Sequence, residues 1–169
     1  QVINPYLAII FVNKKDKVES LSMMLAENGF KVGKIHGAMD DRDRKQMLRR
    51  IKNLEFKYVV ASDIAARGID IEGVSHVINF DLPVDIEFYI HRTGRTARFN
   101  NTGTAISLYA YDDDAYVNGL REKGLVVKFV KSMFVNFEQS LNNPAKSVTF
   151  VVSKFVILNV IKPLQPANI

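Results

Sequence analysis

Apolar positions along this chain switch repeatedly between two periods. Residues 7–12, 31–35, 57–61, 76–80 and 104–108 are short apolar runs rich in β-branched residues, the pattern of strands buried on both faces. Between them the period becomes helical. Val18, Leu21, Met24 and Leu25 share one face of residues 17–27, and Asn28-Gly29 ends that helix. Met47, Leu48 and Ile51 line one face of residues 42–51. Residues 85–91 read as a short helix. Residues 112–123 read as another, opening on acids that suit a helix N-terminus and closing on Gly124. Strands alternating with helices predict an α/β fold, a three-layer sandwich with a mainly parallel central sheet.

In such sheets ligands bind at the carboxyl ends of the strands. Asn13 directly follows the first strand, His36-Gly37 the second, Ser62-Asp63 the third and Asp81 the fourth. A site is therefore expected along one edge of the sheet.

The densest chemistry is His91-Arg92-Thr93-Gly94-Arg95-Thr96-Ala97-Arg98, with three arginines and a histidine around one glycine. Guanidinium groups stay charged and present a planar fork that fits phosphate. A basic octapeptide is otherwise a solvated turn, but other motifs agree with the phosphate reading. The run resembles motif VI of the DEAD-box RNA helicases, within the superfamily-2 helicases. Ala61-Ser62-Asp63-Ile64-Ala65-Ala66-Arg67-Gly68-Ile69-Asp70 is similar to motif V, and Ile9-Ile10-Phe11-Val12-Asn13-Lys14-Lys15 to motif IV. His36-Gly37 followed by Arg44 resembles the next element along. The likeness spans residues 5–124 and is strongest to bacterial cold-shock-associated members.

That resemblance implies a RecA-like fold and a division of labour. Arg95 and Arg98 take the place of the arginines that meet the γ-phosphate of ATP. Asp70 takes that of the ribose-binding aspartate, and Gly68 allows close backbone approach. His91 and Arg92 resemble residues that touch the other helicase domain; a structural role for the histidine weighs equally. Asn13, Lys14, Gly37, Arg44, Ser62 and Arg67 correspond to contacts along an RNA backbone, which carry little base information. Three positions depart from the common pattern. Lys14 and Ser62 stand where threonine is frequent, and Asp41 stands where glutamine is frequent. An acid beside a phosphate is unfavourable, so Asp41 is expected to face away from RNA. Phe11, Phe80, Phe88 and Tyr89 fit core positions better than a base-stacking platform.

No Gly-x-x-x-x-Gly-Lys-Ser/Thr loop and no Asp-Glu-Ala-Asp run occurs in the 169 residues, and the chain begins at Gln1. The expectation is the second RecA-like domain of a longer protein. Its ATP would arrive with magnesium held mainly by the N-terminal domain; no cluster here has metal spacing. Absent cysteine excludes a disulfide scaffold. No run of the chain has the make-up of a signal segment or a membrane span, and a cytoplasmic location fits.

Charge divides the chain. Residues 1–124 hold 18 Lys and Arg against 17 Asp and Glu, whereas residues 125–169 hold 5 against 1. The helicase-like part, 1–124, is nearly neutral, so any nucleic-acid surface must be a local patch. Arg42, Arg44, Lys45, Arg49, Arg50 and Lys52 share one predicted helix. Only Arg44 has a family match; the rest read equally as a solvated face. The apolar tail, 125–169, falls outside the resemblance. Extra strands with a turn at Asn142-Asn143-Pro144, a partner surface and an altered reading frame all remain open for it.

Three functions stand at this point. The first is the C-terminal half of an ATP-dependent RNA helicase, inactive alone and completed by its N-terminal RecA-like domain. The second is an RNA-binding module without hydrolysis. The third is a DNA-directed superfamily-2 helicase domain, which the residues 62–70 disfavour.

Overall fold

The computed structural model describes residues 5–66, 71, 73–96, 103–109, 113–125, 128–130 and 154–158. In chain order the elements are β1 (Ala8–Phe11), α1 (Lys15–Glu27), β2 (Val32–Ile35), α2 (Asp41–Lys52), β3 (Tyr58–Ala61), α3 (Asp63–Ala66), β4 (His76–Asn79), α4 (Ile86–Thr93), β5 (Thr104–Tyr109), α5 (Asp114–Glu122), β6 (Lys128–Val130) and β7 (Lys154–Leu158). They form one sheet in the order β2-β3-β1-β4-β5-β7-β6. The first five strands run parallel, with Ile9 opposite Val59 on one side and Val77 on the other, and Val77 opposite Ala105. Two strands from the tail extend the sheet antiparallel, β7 against β5 and β6 against β7.

The strand order fixes which face each helix covers. A parallel crossover is right-handed, so connections running in opposite directions across the sheet place their helices on opposite faces. Among the connections of the five parallel strands, β1 to β2 alone moves toward the β2 edge, and among the described helices α1 alone covers its face, where Val18 and Leu21 pack on Ile10, Val12 and Val60. The connections from β2 to β3, β3 to β4 and β4 to β5 run the other way. α2 and α3 cover the opposite face through Ile51, Ala65 and Ala66 against Ile9, Phe11, Val59 and Val77. α4 and α5 continue that layer, with Tyr89, Val117 and Leu120 on Ala105. The three-layer α/β architecture expected from the sequence is therefore present.

Local chemistry sets the helix ends. Asp40 caps α2 by accepting a hydrogen bond from the Asp43 N–H at 2.8 Å, so the helix begins at Asp41, one residue before the expected start. Gly29 and Gly124 close α1 and α5 in left-handed backbone, φ 82° and 78°, a conformation costly for residues with a Cβ. α4 runs to Thr93, two residues past the expected end, where the Thr93 hydroxyl donates back to the Tyr89 and Ile90 carbonyls. The sequence pattern missed α3 altogether. Among the described residues no helix is long and apolar enough to cross a membrane.

Tyr89 supplies a pH test of this packing. Its hydroxyl lies 3.2 Å from Ser107 Oγ, which also accepts from Asn79 Nδ2 at 3.0 Å. Burial pushes the Tyr89 phenol up to about 12, against about 10 in an unfolded chain. Below pH about 10 both states hold the proton and stability is whole. As pH rises toward about 12 the unfolded state releases its proton first, and stability falls. The expected outcome is that Tyr89→Phe removes this part of the alkaline loss, worth about 2 kcal/mol by pH 12. Urea midpoints of parent and variant from pH about 9 upward check it; parallel curves count against it.

Candidate functional site

The carboxyl ends of β1, β3 and β4 meet at one side chain, Arg92. It sits in the last turn of α4 and is 2% exposed. Helical side chains lean toward the helix N-terminus, so this long one reaches back to the strand ends. Its Nε and Nη2 donate to Asp63 Oδ1 and Oδ2, both at 2.6 Å, a two-pronged ion pair. Nη2 also donates to Asn13 Oδ1 at 2.8 Å, and Nη1 to the Asp81 carbonyl at 2.6 Å and Asn79 Oδ1 at 3.4 Å. All five N–H groups of the guanidinium are thus engaged within the domain. Its plane also lies over the Phe11 ring, 5.0 Å from the centroid. The sequence had placed Arg92 at the junction with another domain; the structure turns it inward.

The residues expected from the resemblance to contact RNA lie around the same assembly. Asn13, exposed after β1, donates its amide Nδ2 to the Leu82 carbonyl at 2.8 Å, and its backbone N–H donates to Asp81 Oδ2 at 3.0 Å. Asp81 also pairs with Lys17 of α1. Lys14 is exposed beside Asn13, and Ser62 is buried at the end of β3. Gly37 is exposed, and a Cβ there would stand 3.4 Å from an Ile64 methyl. Arg44 is half-buried and donates from Nη2 to the Ala65 carbonyl at 2.8 Å. The four-residue α3 is the common neighbour: Asp63 holds Arg92, Ile64 faces Gly37, and Ala65 accepts from Arg44.

Behind Gly37, His36 is held by Glu19 of α1, Nε2 to Oε1 at 2.7 Å. Glu19 also pairs with Lys34, and these two partners, Lys34 foremost, hold its carboxyl below the ordinary carboxylate range. The motif gave no sign of Glu19. Helical spacing places it one residue after inward-facing Val18, but nothing in sequence says that α1 faces the end of β2.

On the outer side of Arg92 lies a small, open cleft lined by Phe11, Asp63, Ala66, Phe88, His91, Arg92 and Arg95. His91 is exposed at its rim and Arg95 is half-buried. Arg92 pairs with Asp63 there, and Arg95 brings a second guanidinium to the lining, a setting suited to an anion. Arg67, Gly68, Asp70 and Arg98 lie outside the described residues. Among the described residues no cluster of three His, Cys, Asp or Glu could hold a metal ion. Of the four aromatics, Phe11 and Tyr89 are buried, whereas Phe80 and Phe88 are half-buried and Phe88 lines the cleft.

Comparison with known proteins agrees with this layout. The model for the helicase conserved C-terminal domain matches residues 2–100. The chain is 54% identical over 129 residues to the DEAD-box ATP-dependent RNA helicase CshB of Staphylococcus aureus, covering 76% of this chain and 29% of that protein. For CshB of Bacillus subtilis the identity is 43%, covering 76% and 30%. The chain thus spans less than a third of the length of these curated relatives. Among solved structures, the Escherichia coli DEAD-box protein SrmB, bound to the regulator RraA, superposes with a TM-score of 0.66 at 38% identity, covering 71% of each chain. Domain 2 of the DEAD-box helicase Mss116p, bound to an RNA duplex, gives 0.65 at 28% identity, covering 72% of this chain and 48% of that one. Motifs, parallel sheet and strand-end site all agree: the chain has a RecA-like fold and belongs to the helicase conserved C-terminal domain family, in its DEAD-box branch.

Proposed function

We propose that this chain is the C-terminal half of an ATP-dependent RNA helicase, which closes on an N-terminal RecA-like domain of the same protein around ATP and RNA. The observation that carries the reading is the Arg92 assembly. It joins the RNA-side segments after β1 and β3 to the helix that ends just before Arg95, so a shift on one side moves the other. The names of the relatives, ATP-dependent RNA helicases, and the RNA duplex bound to Mss116p domain 2 support the same reading.

In this reading Lys14, the Gly37 turn, Ser62 and Arg67 lie along the sugar–phosphate backbone. Asn13 and Arg44 contribute chiefly by holding that surface in place. Arg95 and Arg98 approach the γ-phosphate, Asp70 the ribose and Gly68 the nucleotide backbone. His91, at the rim of the cleft, meets the other domain. Arg92 is a positioning residue. Magnesium would accompany ATP, held mainly by the N-terminal domain; no three-ligand set among the described residues suits it. RNA strands bind whatever their sequence, and closure requires that RNA and ATP bind the closed state better than the open one. A cytoplasmic location goes with these partners.

Two outcomes are expected. In ATP hydrolysis with single-stranded RNA, adding this chain to a separately made N-terminal half restores turnover, and Arg95→Ala lowers it about 10³–10⁵-fold, the range of an arginine finger. A folded, RNA-binding chain that adds nothing to hydrolysis would leave a binding module instead. Arg92→Ala strands Asp63 beside the core and is expected to cost about 3 kcal/mol in urea unfolding. Arg92→Lys recovers only part of this, because an ammonium cannot span both carboxylate oxygens in the guanidinium's geometry. A cost below about 1 kcal/mol for Arg92→Ala, the level of a surface ion pair, would remove Arg92 from this role.

A further inference from the structure

α2 carries six cations against two acids, and the function proposed above uses only Arg44. Arg44 turns toward α3, and Arg50 pairs with Glu55 at 2.8 Å while lying over the Phe56 ring. The other four, Arg42, Lys45, Arg49 and Lys52, recur at intervals of three, four and three residues. At 3.6 residues per turn they fall in one stripe, about 15 Å long at a rise of about 1.5 Å per residue. All four are exposed, and none has a partner among the described residues. Asp41, one turn before Lys45, makes no ion pair with it.

The helix dipole accounts for half of this stripe. Cations in the last turn, Arg49 and Lys52, stabilise a helix. Arg42 in the first turn is set against the dipole, and Lys45 lies too far from the C-terminal end to gain from it. The stripe also begins beside the Asp40-capped turn that carries Gly37, and from there runs along α2 away from the strand-end edge.

We infer that Arg42, Lys45, Arg49 and Lys52 form a phosphate track that extends the RNA surface beyond the Gly37 turn and holds the strand as it leaves the strand-end site. The inference rests on the reading of that turn as an RNA contact. Continuity with the turn favours a nucleic-acid backbone over an acidic protein. α2 contains no aromatic residue, so the track reads charge and not bases.

The test is fluorescence anisotropy on the 169-residue chain, using single-stranded RNA of about six and about twenty nucleotides, which brackets common single-strand site sizes. The variant Arg42→Gln/Lys45→Gln/Arg49→Gln/Lys52→Gln is compared with a strand-end variant, Lys14→Ala/Arg44→Ala. A swap variant, Arg42→Lys/Lys45→Arg/Arg49→Lys/Lys52→Arg, keeps the charge, and circular dichroism confirms that each is folded. On long RNA, the glutamine variant is expected to flatten the log–log salt slope by about 2–3, near 0.7 per phosphate lost. On short RNA it binds within about twofold of the parent, and the swap variant behaves as the parent on both. An unchanged slope on long RNA, with the strand-end variant impaired, overturns the track and leaves the strand-end site standing. Equal loss on both lengths overturns it as well, since the stripe would then be no extension. Competition by polyglutamate as strong as by RNA of equal charge transfers the surface to an acidic protein. If the strand-end variant binds short RNA like the parent, or the parent binds neither RNA, the underlying site reading fails and the track with it.

Discussion

The pairing of Arg92 with Asp63 is the constraint on which the site depends. A charge this enclosed is costly unless its hydrogen bonds are complete, and here five donors meet five acceptor contacts. Those acceptors come from the ends of β1, β3 and β4. None of these segments can shift alone without leaving part of a buried guanidinium unpaired. The pair therefore locks loops that would otherwise move separately, at the edge where the fold places its ligands.

The sheet order makes this lock possible. β1 lies between β3 and β4, and the chain reverses its direction across the sheet there. The strand ends diverge at such a point, leaving room for a side chain from the covering layer. Asn79 and Ser107 share the face of Phe11 and Ala61, so polar groups replace apolar ones where α4 crosses. Tyr89 and Arg92 reach into that polar strip from adjacent turns of one helix.

Strands and long helices were legible in the sequence because each has its own period, and the residues at the strand ends followed from them. The limits of the five parallel strands fell within about two residues, and Val18, Leu21 and Ile51 went inward as their spacing required. α3 was not legible, because four residues are barely one turn and show no period. The orientation of Arg92 was not legible either. A motif string records which residues recur, whereas inward or outward depends on where α4 sits over β4. Glu19 escaped for the same reason, since its partner His36 lies on a different element. Arg67, Gly68, Asp70 and Arg98 lie outside the described residues, so their expected roles rest on the resemblance alone.

The cations of this domain fall into two populations. Arg92, Lys17 and Lys34 face carboxylates and are neutralised where they stand, so they shape the domain and add little field outside it. The α2 stripe has no such counter-charge among the described residues. Near neutrality over residues 1–124 therefore does not argue against a polyanion partner. Internal pairs consume acids and bases together, and the uncompensated remainder decides what the surface attracts. That remainder lies on the helix that follows the Gly37 turn, the side from which an RNA strand at the strand-end site would depart.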